Sequence, residues 1–317
     1  MKQLGLFGAP PEPDFAREAE LARKLPKGVL LGTSSWTFAG WSGLCYPAGT
    51  TERDLRDHGL SLYTRYPLFG TVGIDRSYYA PLTADELTRY AAELPPGFQT
   101  VMKAWGRITT PADPRTGEVF DEYLDPATFV REVADPVRRS FGDHVGAIVL
   151  EFPPVRRAPP PAEVFAERLD GFLRAAPRDL PLTVEIRTRS HLAKPYLDVL
   201  RAHGVGHVFN LWEAMPDLAT QLSLPGVVTS NDRVVVRLLM RPGTRYEDRK
   251  AAMAPFDRIV DENPQMRDDV LTLARLCVAT GRTLFVIVNN KVEGCSPLTV
   301  AALARRIADR DSTLDFV

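Results

Sequence analysis

The sequence predicts an α/β protein, specifically a single TIM-type (β/α)8 barrel with an N-terminal helical extension. Eight short apolar runs alternate with helix-length amphipathic segments, the pattern of a parallel sheet, and a count of eight suits closure. Polar and charged residues gather at the C-terminal ends of the runs, where barrel sites are built. The reading divides the chain into residues 1–27, a docking tail and helix, and residues 28–317, the barrel domain.

The tail reads Met-Lys-Gln-Leu-Gly-Leu-Phe, then a proline-bearing stretch Gly8–Pro13 and a charged helical segment Asp14–Lys24. Strands are expected near Val29–Ser34, Thr71–Ser77, Gln99–Lys103, Ala147–Phe152, Thr183–Arg187, His207–Leu211, Val234–Leu239 and Thr283–Asn289. Thr83 and Glu86 form a capping box that opens a helix over Ala84–Glu93. Asp125-Pro126 and Ser296-Pro297 each set a capping side chain before a proline at the first helical position. Gly204 and Gly281 stand where helices should stop. An open doubly wound sheet is the competing architecture, but no G-x-G-x-x-G is present and no nucleotide cofactor is expected. Pro153–Ala162 reads as a stiff exposed loop. The long connections Trp212–Arg233 and Met240–Asn263 are expected to frame the pocket mouth.

Composition narrows the function classes. The chain has 317 residues, 44% of them hydrophobic, with 39 Lys+Arg against 40 Asp+Glu. With a formal net charge of −1, no overall field draws it onto nucleic acid or an anionic membrane. No run is long enough to span a membrane and the N-terminus lacks a secretory pattern, so a cytoplasmic protein without a membrane partner is expected. Cys45, Cys277 and Cys295 are widely spaced, which suits a reducing compartment.

The strand ends supply the candidate chemistry. The first offers Ser34, Ser35 and Trp36, the second Asp75, the third Lys103 and the fourth Glu151. The fifth ends in Glu185 and Arg187, the sixth in Asn210, the seventh carries Arg237, and the eighth ends in Asn289 and Asn290. Val184 and Ile186 share one strand face, so Glu185 and Arg187 should point into the barrel. Ionised groups there must be matched, and Lys103, Arg187 and Arg237 balance Asp75, Glu151 and Glu185. One reading is a structural network. The other is a polar pocket for a small-molecule ligand, with Arg187 and Arg237 binding a carboxylate or phosphate. In that pocket Glu185 or Glu151 is the base, Lys103 the acid or stabiliser, and Trp36 or Tyr79 a stacking platform. Oxygen ligands from Asp75, Glu151 and Glu185 could bind a divalent metal, although no H-E-x-x-H supports one. His191 is the histidine expected nearest the mouth.

Leu31–Pro47, read LGTSSWTFAGWSGLCYP, breaks a buried strand into small hydroxyl residues and flat aromatics. Its G-T-S-S-W…W-x-G-x-x-Y-P arrangement resembles the opening motif of the YecE-like family, domain of unknown function family 72. Thr71–Pro81, Gly97–Lys103, Glu151–Pro154, Val184–Arg187, Val236-Arg237 and Asn289-Asn290 are similar in the same order. The resemblance runs from about Gly28 to the C-terminus and implies a TIM-type barrel without implying an activity. The sequence departs from the family pattern at Gly73, where an acidic residue is usual, and at Glu151, often Gln. Separately, Gln3-Leu4-Gly5-Leu6-Phe7 resembles the Q-L-x-L-F peptide by which bacterial proteins bind the DNA polymerase sliding clamp. That resemblance implies that Gln3 seats its amide in a polar niche while Leu6 and Phe7 fill an apolar pocket, with Leu4 a further docking residue. The alternative is a tail folded against the barrel floor. The expected function is acid/base chemistry, isomerase- or lyase-like by fold analogy, on a small hydroxylated or anionic substrate. The alternatives are a clamp-recruited DNA maintenance factor or nuclease, with Arg156, Arg157, Arg241 and Arg245 as its basic groove, and a non-catalytic ligand-binding barrel.

Overall fold

A computed structural model of the chain describes residues 13–311. Eight parallel strands close into a barrel in sequence order: β1 (Val29–Thr33), β2 (Thr71–Ile74), β3 (Gln99–Lys103), β4 (Val145–Phe152), β5 (Leu182–Ile186), β6 (Gly206–Leu211), β7 (Arg233–Leu238) and β8 (Thr283–Val288). β8 pairs back onto β1 through Val29↔Leu284 to Thr33↔Val288. β1 and β2 end earlier than the apolar runs suggest, because the chain leaves the sheet at the mouth. After Ile74 it curls into a short 3-10 turn, Arg76–Tyr78, secured by the Ser77 hydroxyl donating to the Ile74 carbonyl at 2.8 Å.

The first helices are α1 (Ala16–Arg23), α2 (Glu52–Tyr63) and α3 (Ala84–Glu93), the last opened by the Thr83/Glu86 capping box the sequence spells out. α4 (Pro126–Phe129) begins with Asp125 accepting from the Thr128 N–H. It runs through a π-helical turn, Val130–Ala134, into α5 (Asp135–Ser140). Pro136 lacks the N–H that a regular turn would use there, which accounts for the widened turn. α6 (Ala162–Ala175) and α7 (Lys194–His203) follow, and Gly204 ends α7 in the left-handed conformation expected of it. The long connections carry α8 (Leu218–Leu222) and α9 (Tyr246–Met253), and α10 (Pro264–Ala279) and α11 (Ser296–Asp311) complete the wall.

α1 lies against this wall beside α11. Phe15 meets Tyr66 edge-on at 5.0 Å, and Leu21, Ala22 and Leu25 pack on the core. The residues expected to dock a partner, Gln3, Leu4, Leu6 and Phe7, lie outside the described residues. No helix among the described residues is long and apolar enough to cross a membrane. Cys45, Cys277 and Cys295 are free and buried.

Period-two alternation sorts the strand residues into two cores. Val72, Ile74, Ile148, Leu150, Val184, Ile186, Val236 and Val286 face the helices. Leu30, Val101, Ala147, Val149, Val208, Val235, Phe285 and Ile287 fill the barrel interior. The register between β3 and β4 shifts at Thr100/Val101, leaving Gly146 as the extra residue. A Cβ at Gly146 would stand 2.6 Å from the Phe285 ring, so this glycine is what lets the ring cross the barrel interior.

Gly146→Ala is therefore expected to cost about 1–3 kcal/mol, the usual range for overpacking a core. Urea denaturation measures it, and pairing it with Phe285→Leu should recover part of the loss. An unchanged midpoint for the single variant would show that Phe285 does not depend on this gap.

Candidate functional site

Inward alternation brings Lys103, Glu151, Glu185 and Arg237 to one level at the C-terminal mouth, with Asp75 and Arg187 one residue past their strands. Arg237 is the hub. Its Nη1 donates to Glu151 Oε2 at 2.7 Å and to Glu185 Oε2, while Nη2 donates to Asp75 Oδ1 at 2.9 Å and Oδ2 at 3.1 Å. Arg187 Nε donates to Glu185 Oε1 at 2.9 Å, and its Nη2 to Glu151 Oε2 at 2.8 Å. Lys103 Nζ lies 2.8 Å from Glu151 Oε2 and 3.4 Å from Asp75 Oδ1. Three carboxylates thus meet three cations, as the strand-end inventory requires.

Burial sets their characters apart. The side chains of Glu185 and Arg237 are 0% and 2% exposed and that of Glu151 is 4%, whereas Asp75 keeps 31%. Burial pushes the Glu151 carboxyl up, but Arg187, Lys103 and Arg237 together outweigh it and hold it well below the usual range. Burial likewise works against charge on Arg237, and the three carboxylates around it more than restore it. Glu185, expected as a base, has both oxygens engaged by guanidinium groups. Arg187 and Arg237, expected to hold a ligand's anion, are engaged by protein carboxylates.

Other expected residues scatter around this layer. Asn289 Nδ2 donates to Ser34 Oγ at 2.8 Å, linking β8 to β1 at the mouth. Ser35 Oγ lies 3.2 Å from Thr37 Oγ1 in the following loop. Trp36 is turned outward: it meets Tyr90 of α3 edge-on at 5.4 Å and fills the space above Gly59 of α2. Tyr79 projects into solvent, 80% exposed. Asn210 is fully buried beside Arg237 in register, its Nδ2 donating to the Ile186 carbonyl at 3.0 Å. Asn290 caps α11, accepting from both the N–H and the hydroxyl of Ser296 at 2.8 Å. Gly73 is closed to a larger side chain, because a Cβ there would lie 3.0 Å from Ser34 Cα and 3.2 Å from Ile287 Cγ2.

A cleft of about 650 Å³ opens beside the layer, between the loops that follow β2, β3, β4 and β5. Its walls include Tyr78, Tyr79, Trp105, Phe120, Phe152 and Phe165. His191 lines it too, stacked on Phe165 at 4.4 Å with Nε2 3.0 Å from the Pro160 carbonyl, and burial lowers its pKa. Three side chains absent from the sequence-based set contact the strand-end residues. Tyr78 joins cleft to layer, with Lys103 Nζ 5.0 Å from its ring centroid, and burial, reinforced by Glu151, pushes its phenol up. Trp212 covers the Arg187 guanidinium at 4.2 Å. Lys291 Nζ donates to Asn289 Oδ1 at 3.1 Å. The doubled tyrosine of Ser77–Tyr79 was the legible signal for Tyr78, whereas Lys291 and Trp212 lie in loops whose course the strand pattern does not define.

The expected basic groove is neutralised at two of its four positions. Arg156 pairs with Glu213 at 3.0 Å, and Arg241 pairs with Asp261 at 3.0 Å. Among the described residues no group of three His, Cys, Asp or Glu side chains is arranged to hold a metal ion.

A family model described as protein of unknown function DUF72 matches residues 30–315. A solved DUF72 family protein from Enterococcus faecalis is similar with a TM-score of 0.62 at 15% identity, over 89% of this chain and 95% of that one. Another, from Thermotoga maritima, gives a TM-score of 0.57 at 18% identity, over 90% and 99%. At these identities the likeness is one of fold. Comparison with curated proteins gave no match.

Glu151→Gln removes one charge from a balanced buried layer and should cost about 3–5 kcal/mol at neutral pH. The Glu151 pKa is lowered on folding, so its stabilisation is complete above the ordinary value of 4.5 and is lost as pH falls through the lowered one. The gap in urea midpoint between wild type and variant should thus narrow on acidification from pH 7 to pH 3. A gap independent of pH would contradict this account.

Proposed function

Taking as premise that the chain belongs to the DUF72 family, we propose that it is an enzyme acting by proton transfer on a small hydroxylated substrate held at the barrel mouth. The observation that carries this reading is the unequal exposure of the three carboxylates. Glu151 and Glu185 are sealed among cations, while Asp75 keeps a face open to the mouth. Asp75 accepts the substrate hydroxyl. Arg237 holds both its oxygens, which fixes the direction of the remaining lone pairs. Lys103, 3.4 Å from Asp75 Oδ1, stabilises negative charge that develops on the substrate oxygen. The Tyr78 phenol, pushed up by burial, keeps its proton at neutral pH and serves as donor from the cleft side. Aromatic walls suit the apolar face of a ring while its hydroxyls turn toward the charged layer.

This reading moves the base from Glu185 or Glu151 to Asp75 and treats Glu185, Glu151 and Arg237 as the rigid frame. A panel of free sugars, polyols and sugar acids, screened by thermal shift and calorimetry, tests it. A member that binds wild type should lose at least tenfold in affinity with Asp75→Asn, with the far-UV spectrum unchanged. Binding that survives Asp75→Asn unaltered would sink the assignment.

A further inference from the structure

We infer that the substrate of this site carries an anionic group, carboxylate or phosphate, and that Lys291 receives it. The inference rests on the reading above and names the class of its ligand. Charge accounting leads to it. Asp75, Glu151 and Glu185 consume Lys103, Arg187 and Arg237, so the layer has no cation to spare for a ligand. Lys291 stands just past β8, next to the inward positions of Asn289 and Ser34, and no ion pair to a carboxylate involves it among the described residues. An ammonium with no carboxylate partner among the described residues, at the rim of a neutral layer, is a place where an anion gains.

Its position is also built. The buried Arg249 guanidinium donates to the Lys291 carbonyl at 2.9 and 3.1 Å and to the Val292 carbonyl at 2.7 Å, and is itself held by Asp261 at 2.6 Å. The Lys291 N–H donates to Asn289 Oδ1 at 3.1 Å. Its ammonium lies 4.6 Å from the ring centroid of Tyr246, the first residue of α9. Tyr246 is 42% exposed, so the ammonium rests on a wet aromatic face from which an anion can recruit it. The segment from β7 through α9 to the loop after β8 is therefore clamped around one half-buried lysine. Barrels often bind anionic groups in the loops after their seventh and eighth strands. Glu247 and Asp248 occupy the first turn of α9, which sets the anion at Lys291 rather than at the helix terminus.

Paired probes test this by calorimetry: ribose with ribose 5-phosphate, glucose with glucose 6-phosphate, and glucose with glucuronate. The phosphate and carboxylate arms separate the two kinds of anion. The expected result is at least tenfold tighter binding of one anionic member than of its neutral partner. In Lys291→Met the ratio should fall to about one, and in Lys291→Arg it should return. A ratio near one in wild type, with neutral binding still dependent on Asp75, overturns the anion inference and leaves the hydroxylated-substrate reading standing. A high ratio that persists in Lys291→Met overturns the role of Lys291. Failure of every probe to bind overturns both.

Discussion

One guanidinium holds three strands in place. Arg237, on β7, reaches carboxylates presented by β2, β4 and β5, and each of them accepts from it. A cation removed from water must recover its hydration from the protein, and that demand dictates the identity of the neighbouring inward positions. Once three carboxylates surround Arg237, two further cations are needed, and Arg187 and Lys103 supply them. The result is a neutral lattice of charges in which altering any one member leaves another uncompensated.

Such a lattice is stiff rather than reactive. Its most buried members are poor candidates for chemistry because their lone pairs and protons are committed to one another. The proposed chemistry therefore falls to the lattice edge, where Asp75 meets solvent, and to Tyr78 and Lys291, which lie outside the ion-paired set. A rigid frame with a reactive rim is an economical way to hold groups to the tolerance that catalysis requires.

The frame was readable before the structure because strand periodicity and charge balance are strong constraints. Alternation around Val184 and Ile186 assigns Glu185 to the interior, and the cost of burying it implies a cationic partner. Strand ends could be placed only to within a few residues, since the apolar run of β2 continues visually past Ile74 while the chain already turns there. Side-chain identity at the rim was less legible. Trp36 reads as a ligand platform and instead packs between α2 and α3, and Asn290 reads as a binding group and instead caps α11. Both follow from local backbone direction after a strand, which pattern alone does not encode. Lys291 was not legible because its proposed role depends on Tyr246 and Arg249, which are 42 or more residues from it in sequence and adjacent only after folding.

Below the charged layer, Phe285 crosses toward Gly146 and the interior is packed with valine and isoleucine. Among the described residues the interior below the layer is thus closed by side chains. On the proposed reading, a ligand that enters at the mouth departs by the same side, so departing product and arriving substrate would compete for one passage. For the proposed enzyme, product held at the mouth would compete with substrate, and turnover would be limited by how quickly the mouth clears whenever the chemical step is fast.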